Sequence, residues 1–145
     1  MEFIVKNTED LTNIELLHII EERINVFVVE QECVYQEVDE ADKDALHVIL
    51  KNGNDIVAYT RVIDCQSYIS FGRVLVVPKY RMQGYGREIV QKTIDTINER
   101  FSTPLIKISG QAHLKTFYES FGFQSISEIY LEDNIPHITF EKLAK

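Results

Sequence analysis

The chain begins with a weak apolar alternation over residues 2–6, which predicts a short strand. Thr12 and Glu15 then have the spacing of a capping box, in which a hydroxyl and a carboxylate bind the free N–H groups at the start of a helix. Apolar residues follow at intervals of three or four. They predict a helix ending near Val28, with a core face made of Ile14, Leu17, Ile20, Ile24 and Phe27.

The middle of the chain changes from this helical period to a strand pattern. Residues 29–45 have no clean period, so we predict mainly a loop there, with room for a short helix. Polar turns then separate runs that are rich in β-branched and aromatic residues. These runs predict an antiparallel meander of three strands, over residues 46–51, 55–64 and 68–77.

The second half of the chain alternates helices and strands. A helical apolar pattern runs to about Arg100, a short strand covers residues 105–109, and Gly122 closes a helix over residues 113–121. Two last strands are predicted over residues 124–131 and 137–141. The order β-α-β-β-β-α-β-α-β-β predicts an α/β fold with one mixed sheet and helices on both faces. A length of 145 residues fits a single domain over residues 1–145.

Composition excludes several classes of protein. No apolar run approaches the roughly 20 residues that a membrane span needs. The start, MEFIVKNTED, lacks the pattern of an export signal, so we expect a cytoplasmic protein without membrane contact. Cys33 and Cys65 match no metal-ligand spacing, and we expect reduced thiols and no metal.

The net charge of -8 argues against nucleic acid as a partner. The charges are nevertheless unevenly distributed along the chain. Residues 30–44 carry seven carboxylates and one lysine, whereas residues 73–92 carry five basic residues and one glutamate. The first segment is therefore suited to a cation, or is simply a solvated loop, and the second is suited to an anion.

An anion-binding turn is predicted inside the basic segment. The apolar run at residues 74–77 reads as a buried strand that Pro78 ends, and a helical pattern begins soon after Gly84 and Gly86. The first N–H groups of a helix have no partner within the helix and carry partial positive charge. Glycines let a ligand approach the backbone, and Arg81 adds a full charge. The expected ligand is a phosphate or diphosphate.

The turn matches neither the P-loop nor the dinucleotide fingerprint. Its R-x-x-G-x-G run, from Arg81 to Gly86, resembles the coenzyme A diphosphate loop of the GNAT acyltransferase superfamily. The resemblance covers the whole chain and implies the GNAT fold. It also implies that acyl-CoA inserts where the strand with Val74 and Val76 splays away from the strand at residues 106–109.

Four stretches resemble the ElaA-like subgroup of that superfamily. They are Val26-Phe27-Val28-Val29-Glu30-Gln31 with Cys33 and Tyr35-Gln36; Gly72-Arg73-Val74; Gly110-Gln111-Ala112-His113 leading to residues 117–123; and Ile135-Pro136-His137-Ile138. One departure is Val34, which stands where the subgroup usually has proline after the cysteine. It affects the stiffness of the loop more than the chemistry.

The resemblance assigns the CoA contacts. It implies that backbone N–H groups near Val74, Leu75 and Val76 hold the pantetheine and polarise the thioester carbonyl. Gln111 falls where many relatives have an asparagine that touches pantetheine. The loop that holds the diphosphate comprises Arg81, Met82, Gln83, Gly84, Tyr85 and Gly86.

The same resemblance names Tyr118 as the acid that protonates the departing CoA sulfur. The alternative is packing, because Tyr118 lies in an aromatic cluster with Phe117, Phe121 and Phe123, and such clusters are usually core. An amine must lose its proton before it attacks, and the candidates for the base are His137 and His113, since histidine titrates near neutral pH. His47 is a weaker candidate.

We predict an N-acetyltransferase that moves acetyl from acetyl-CoA directly to a primary amine. The acidic segment suggests a cationic acceptor, either a small molecule or a peptide amine, with acceptor contacts from Glu30, Glu32, Asp39 and Arg73. The alternatives are a non-catalytic acyl-CoA-binding module with this fold and, more distantly, an acyl-homoserine-lactone synthase. The last strands could also form a homodimer.

Overall fold

A computed structural model describes residues 1–143. Its strands are β1 (Glu2–Asn7), β2 (Leu46–Asn52), β3 (Asp55–Asp64), β4 (Ile69–Val76), β5 (Leu105–Gln111), β6 (Gln124–Ser125), β7 (Tyr130–Glu132) and β8 (Ile135–Leu143). Its α-helices are α1 (Asn13–Ile24), α2 (Tyr85–Arg100) and α3 (Lys115–Glu119). A π-helical segment, Asn25–Glu30, continues α1, and four short 3-10 turns are Thr8–Asp10, Glu40–Lys43, Pro78–Tyr80 and Ala112–Leu114.

All eight strands belong to one mixed sheet with the order β1-β2-β3-β4-β5-β8-β6, and β7 also pairs with β8. The predicted meander is confirmed, because β2, β3 and β4 are consecutive antiparallel neighbours. The only parallel pair in this path joins β4 to β5 across the α2 crossover. The predicted mixed sheet and its element order are therefore confirmed as far as residue 143.

The sheet opens between β4 and β5. These two strands are paired in register at a single position, Ile69 opposite Ile106. In contrast, β5 pairs with β8 over its whole length, from Leu105 opposite Leu143 to Gln111 opposite His137. Beyond Ile69 the backbone of β4 therefore borders a gap in the sheet instead of another strand. This is the predicted splay.

Two apolar clusters cover opposite faces of the sheet. Val48 and Leu50 of β2 pack in the cluster that includes α2 residues such as Ile94, whereas Ile49 packs with Ile19 of α1. Neighbouring residues of a strand point to opposite faces, so α1 and α2 lie on opposite sides of the sheet. α3 joins the α2 cluster through Tyr118. None of the helices in residues 1–143 is long and apolar enough to cross a membrane.

The predicted capping box is present: the Thr12 N–H donates to Glu15 Oε1 at 2.8 Å, and the Glu15 N–H donates to Thr12 Oγ1 at 3.1 Å. The predicted core face of α1 is wrong at Ile14 and Leu17. Ile14 and Leu17 are 74% and 62% exposed, whereas Arg23 is buried along with Ile19 and Val26. Phe27 packs against the core as predicted. The inward-facing Arg23 interrupts the apolar stripe, so the hydrophobic period placed the start of the core face on the wrong side of the helix.

The last strands differ in extent from their prediction. The strand predicted over residues 124–131 is two short pieces, β6 and β7, and β8 is longer than the predicted 137–141. The side chains of Ile138 and Phe140 belong to the core, while Ile126, Ile129 and Leu131 are exposed. The helix predicted over residues 113–121 is a 3-10 turn followed by the five residues of α3.

Candidate active site

A cavity of about 890 Å³ occupies the gap between β4 and β5. Its walls come from both sides of the gap: Val74, Leu75 and Val76 on β4, and Ser109 and Gly110 on β5. The π-helical segment, the loop after it, α3 and the β7–β8 turn complete the lining.

A β-bulge distorts β4 where it borders this cavity. Tyr59 of β3 lies opposite Leu75 and Arg61 lies opposite Gly72, so that Thr60 alone faces the two residues Arg73 and Val74. Arg73 has a left-handed backbone with φ 50°. A bulge leaves a residue out of the ladder, and here its backbone groups lie on the strand that lines the cavity. The backbone of β4 near Val74 therefore borders the cavity where its ladder with β3 is interrupted.

The N-terminus of α2 adjoins the cavity wall at Val76, and the loop from Arg81 to Gly86, called the cradle below, lies at the position of the predicted anion-binding turn. Gly84 caps the helix with φ 88°, a conformation that favours glycine. A Cβ built on Gly84 would meet nothing within 4 Å, whereas one on Gly86 would lie 3.8 Å from Val76 Cγ2. Met82 has φ 63° and is fully exposed. The cradle is open to solvent and to a diphosphate.

Arg81 is held at the rim of the cradle by two groups. Its Nε donates to the Val76 carbonyl at 2.9 Å, and its two terminal nitrogens donate to Glu30 at 2.6 and 2.8 Å. The hydrogen bond from Arg81 lowers the pKa of Glu30, and Glu30 raises that of Arg81. Glu30 thus lies beside the cradle and not with the residues at the far end of the cavity.

Tyr118 lines the cavity from the α3 face and is only 4% exposed. Its ring contacts Phe140 and Phe123, and Gly110 provides the space for it, because a Cβ on Gly110 would lie 2.7 Å from Tyr118 Cε2. Burial raises the pKa of Tyr118 to about 12, so the phenol is protonated at neutral pH. The two predicted readings of Tyr118 are compatible, since it packs in the core and also reaches the cavity.

Gln111 and His113 lie together on the cavity wall. His113 Nε2 is 2.8 Å from Gln111 Oε1, and Gln111 Nε2 donates to Gln31 Oε1 at 3.5 Å. Because an amide oxygen only accepts, His113 Nε2 carries the proton in this contact. His113 is exposed, and in this tautomer the nitrogen that faces Gln111 is not a base.

His47 is the least favoured candidate for the general base, and the structure places it in the core, away from the cavity. Its ring nitrogens lie 2.7 Å from Thr8 Oγ1 and 2.6 Å from the Tyr59 hydroxyl. Burial and the charge of Arg23 lower its pKa to about 4. It is a hydrogen-bonded structural residue.

The acidic segment is largely neutralised by arginines. Glu37 is buried and accepts from Arg23 Nε at 2.9 Å, and Arg73 lies 2.8 Å from it. Arg23 also binds Asp42 at 2.7 Å. Glu37 and Asp42 therefore stabilise the buried arginine, and they are not free charges for a cationic ligand.

Two predicted acceptor residues, Asp39 and Arg73, lie on the cavity wall as an ion-paired set. Asp39 binds Arg61 at 2.7 Å and Arg73 at 3.5 Å. The guanidinium of Arg73 also lies over the ring of Tyr35, 5.4 Å from its centroid. Burial raises the pKa of Tyr35 to about 12. The wall here is polar and nearly neutral overall.

Glu32 lines a second cavity of about 550 Å³ that adjoins the first one and shares Gln31, Cys33 and Asp133 with it. The Cys33 thiol donates to the Asp133 carbonyl at 3.4 Å, which joins the loop after the π-helical segment to the β7–β8 turn. The sequence analysis assigned Glu30 and Glu32 to one acceptor site. In the structure Glu30 instead binds Arg81 beside the cradle, and Glu32 lines the second cavity.

The β7–β8 hairpin supplies cavity residues that the sequence analysis missed. Asp133 and Asn134 form its two-residue turn with φ 51° and 65°, as expected of a type I′ turn. The register places Tyr130 opposite His137 and Glu132 opposite Ile135, so that Tyr130, Glu132 and His137 share one face. The dipeptide Asp133-Asn134 was the feature of the sequence from which this register could have been predicted.

The cavity therefore has two chemically different ends. One end has Arg81, beside the N-terminus of α2, and suits an anion, and the other offers Glu132, His137 and Ser109 to a proton donor. Between them lie the unpaired backbone of the bulged strand and the protonated phenol of Tyr118. This set of groups suits the transfer of an acyl group from an anionic carrier to a nucleophile.

Comparisons with known proteins agree with this arrangement. The family model of the acetyltransferase (GNAT) domain matches residues 15–144. The chain belongs to the GNAT acetyltransferase family. It is an acyltransferase, and the co-substrate of its family is acyl-CoA. The predicted resemblance is confirmed.

ElaA of Escherichia coli can be compared with this GNAT protein in both sequence and structure. The two sequences are 36% identical over 134 residues, which cover 89% of this chain and 88% of the relative. The crystal structure of E. coli ElaA superposes with a TM-score of 0.93 over 98% of this chain and 99% of that one. An ElaA-like GNAT fold is therefore shown.

Two other relatives extend the comparison. A UPF0039 protein of Schizosaccharomyces pombe is 42% identical over 141 residues, covering 95% of this chain and 94% of the relative. The crystal structure of an acyl-CoA N-acyltransferase from Pseudomonas aeruginosa has a TM-score of 0.92 and 33% identity, covering 98% of this chain and 99% of that chain.

Proposed function

We propose that this GNAT protein transfers an acetyl group from acetyl-CoA directly to a primary amine. The observation that carries the proposal is the continuous cavity through the sheet gap. It runs from Val76 and Arg81, which border the N-terminus of α2, to Glu132 and His137. A CoA thioester entering from the α2 end would present its carbonyl at the middle of the cavity, within reach of an amine from the opposite end.

The reaction needs no covalent enzyme intermediate. A neutral amine attacks the thioester carbonyl, a C–N bond forms, and the carbonyl oxygen becomes an oxyanion. Backbone N–H groups of the bulged strand near Val74 stabilise this oxyanion. The C–S bond then breaks, and the thiolate leaves with the electron pair and takes the proton of Tyr118, which burial keeps protonated. The nitrogen loses its extra proton as the amide forms, and a proton from water restores the phenol of Tyr118.

The cofactor contacts follow the same geometry. Val74, Leu75 and Val76 line the cavity beside the pantetheine path, and Gln111 faces them from β5. The diphosphate binds the loop from Arg81 to Gly86, whose remaining members are Met82, Gln83, Gly84 and Tyr85. Glu30 holds Arg81 at this loop, and we assign it that supporting role in place of an acceptor contact.

The acceptor is proposed to be cationic, either a small amine or an amine of a peptide. Glu32 and Asp39 are the acidic residues of the predicted acceptor set that lie on or beside the cavity at this end, and Arg73 shapes the wall next to Asp39. Arg23 and Arg73 already bind Glu37, which is therefore left out of the set. A cytoplasmic location and a homodimer formed through the last strands stay predictions.

Calorimetric titration with acetyl-CoA tests the cofactor half of the proposal. Gly84→Glu places a negative side chain in the cradle and is expected to weaken binding by about tenfold or more, through like-charge repulsion. Gly53→Glu is the matched control, because Gly53 also has a positive φ of 62° and open space around it but lies in the β2–β3 turn. It should bind acetyl-CoA like the wild type.

Release of free CoA on addition of a panel of primary amines tests the catalytic half. We expect turnover that Tyr118→Phe reduces by roughly 10²-fold while acetyl-CoA still binds. Tight acetyl-CoA binding without CoA release for any amine would favour the alternative of a non-catalytic acyl-CoA-binding module. No binding by the wild type would refute the whole proposal.

A further inference from the structure

A chain of hydrogen bonds at the β7–β8 end of the cavity leads to one carboxylate oxygen. Thr139 Oγ1 donates to the Tyr130 hydroxyl at 3.1 Å, and Ser109 Oγ donates to Glu132 Oε1 at 3.2 Å. The hydroxyls of Tyr130 and Ser109 are 2.5 Å apart. Since a carboxylate only accepts, the Ser109 proton points to Glu132 and the Tyr130 proton points to Ser109. Each hydroxyl proton in this series of hydrogen bonds is therefore already donated to a neighbour within it.

The other oxygen of this carboxylate faces a nitrogen that carries no proton when the ring is neutral. His137 Nδ1 lies 2.7 Å from the Ile135 carbonyl oxygen, which accepts only, so Nδ1 carries the proton of the neutral ring. His137 Nε2 then presents a lone pair. It lies 3.5 Å from Glu132 Oε2, which presents another. With a neutral ring, two acceptors face each other without a proton between them.

This pair is placed where an acceptor would arrive. Glu132, His137 and Ser109 all line the main cavity, and His137 is only 8% exposed although Glu132 is open. The β5–β8 register places Gln111 opposite His137 and Ser109 opposite Thr139, so these side chains share one face of the sheet. Gly110, which contacts Tyr118, points to the other face. The pair and Tyr118 therefore approach the gap from opposite sides.

We infer that Glu132 and His137 together bind the ammonium group of the acceptor, and that His137 Nε2 takes its proton. The inference rests on the proposed amine transfer and adds residues to it. An ammonium group supplies the missing N–H donors to both Glu132 Oε2 and His137 Nε2. After proton transfer the amine nitrogen has the lone pair that attacks the thioester, and Glu132 stabilises the imidazolium. The proton count balances, because an ammonium group loses two protons on becoming an amide: the first goes to His137, and the second is equivalent to the one that restores Tyr118 after the phenol has protonated the thiolate.

An NMR titration tests the binding step without any turnover. The protein is saturated with CoA, and n-butylammonium is added while the Cε1–H signal of the His137 ring is followed, with His137→Gln used to assign the signal. We expect the wild-type signal to shift and n-butanol, which has no positive charge, to leave it unmoved. Glu132→Gln should weaken the effect by about tenfold or more, since a charge-assisted hydrogen bond is lost.

Asp133→Asn is the matched control for charge. It removes one carboxylate from the turn of the same hairpin, and asparagine is favoured in a type I′ turn, so n-butylammonium should bind as to the wild type. Equal binding by Glu132→Gln and the wild type, or equal weakening in Glu132→Gln and Asp133→Asn, would overturn the inference.

Steady-state kinetics, measured with any amine that the enzyme acetylates, separate the binding role of Glu132 from the proton-removing role of His137. Glu132→Gln should mainly raise the KM for the amine, by about tenfold or more. His137→Gln should lower kcat by roughly 10²–10⁴-fold with acetyl-CoA binding unchanged. If the wild type turns over and both variants keep its kcat and KM, this inference is refuted while the proposed function stands. Absence of wild-type turnover would refute the proposed function, while the NMR titration would still decide whether the pair binds an ammonium ion.

Discussion

Replacing Gly110 by alanine should disturb both the stability and the chemistry of this acyltransferase through one side chain. The added Cβ would lie 2.7 Å from Tyr118 Cε2, 3.0 Å from Tyr118 Cδ2 and 3.1 Å from Phe140 Cε2. Ordinary carbon–carbon contacts are about 3.7 Å, so the Tyr118 ring must move by about 1 Å. Phe123 and Phe140 pack against that ring and limit where it can go.

The cost of this displacement has two parts. Overpacking of this kind lowers the free energy of unfolding by about 1–3 kcal/mol, which corresponds to a Tm lower by roughly 3–10 °C. A hydroxyl displaced by about 1 Å from its working position lowers kcat by up to roughly 10²-fold. Thermal unfolding and steady-state CoA release, measured on the same preparations, give both values.

A double-mutant cycle with Tyr118→Phe separates the two parts. In that background Gly110→Ala should still lower the Tm, because the ring remains, but it should cause no further loss of kcat, because no hydroxyl remains to be displaced. Gly72→Ala is the control, since Gly72 lines the same cavity and a Cβ there meets nothing within 4 Å. An equal loss of kcat in both backgrounds would refute the acid role of Tyr118.

Three further predictions follow from buried ionisable groups. Because burial raises the pKa of Tyr118 to about 12, the ratio of wild-type to Tyr118→Phe kcat should stay constant between about pH 6 and pH 10. Burial, together with the charge of Arg23, lowers the pKa of His47 to about 4, so its stabilising effect is complete above about pH 6.5 and is lost as the pH falls to 4. Urea unfolding should show roughly 3 kcal/mol of this loss in the wild type and much less in His47→Gln. Arg23→Met leaves the Glu37 and Asp42 carboxylates buried without their arginine and should lower the free energy of unfolding by about 3–5 kcal/mol.

Each of these predictions has its own control. For Tyr118 a ratio that changes by tenfold across the range would contradict the acid role. His18→Gln changes a histidine outside the core and should keep the wild-type pH dependence of stability. Lys43→Ala breaks an ion pair whose side chains are 72% and 87% exposed, and it should change stability by well under 1 kcal/mol. Similar losses for Arg23→Met and Lys43→Ala would show that burial of the first pair does not matter.

The parts of the fold that depend on local patterns could be predicted from the sequence. The run at residues 74–77, Pro78 and the two glycines specify a strand, a turn and a helix start within a few residues, and the structure has them there. The Thr12 and Glu15 capping box is equally local. The sheet order, however, came from the family resemblance, since pairing of β4 with β5 depends on residues 37 positions apart, Ile69 and Ile106.

What could not be predicted depends on contacts between distant charges. A hydrophobic pattern counts Arg23 as a surface residue, yet Glu37 and Asp42 neutralise it and allow it to be buried. For the same reason the acidic segment looked like a free cation-binding surface although arginines bind most of it. Glu132 was missed because its role depends on the hairpin register and on Ser109, which lies 23 residues earlier.

The single paired position between β4 and β5 also separates two tasks along the chain. The strand and cradle proposed to bind most of the acyl carrier precede residue 87, whereas the inferred ammonium-binding pair, Glu132 and His137, follows the gap. Few backbone hydrogen bonds join the two half-sheets, so the β7–β8 hairpin can be exchanged for that of another GNAT protein with little effect on the strand beside the carrier. Such a chimera would retain its acyl donor and acquire a different acceptor. The gap in the sheet is thus a natural boundary for changing what the enzyme modifies.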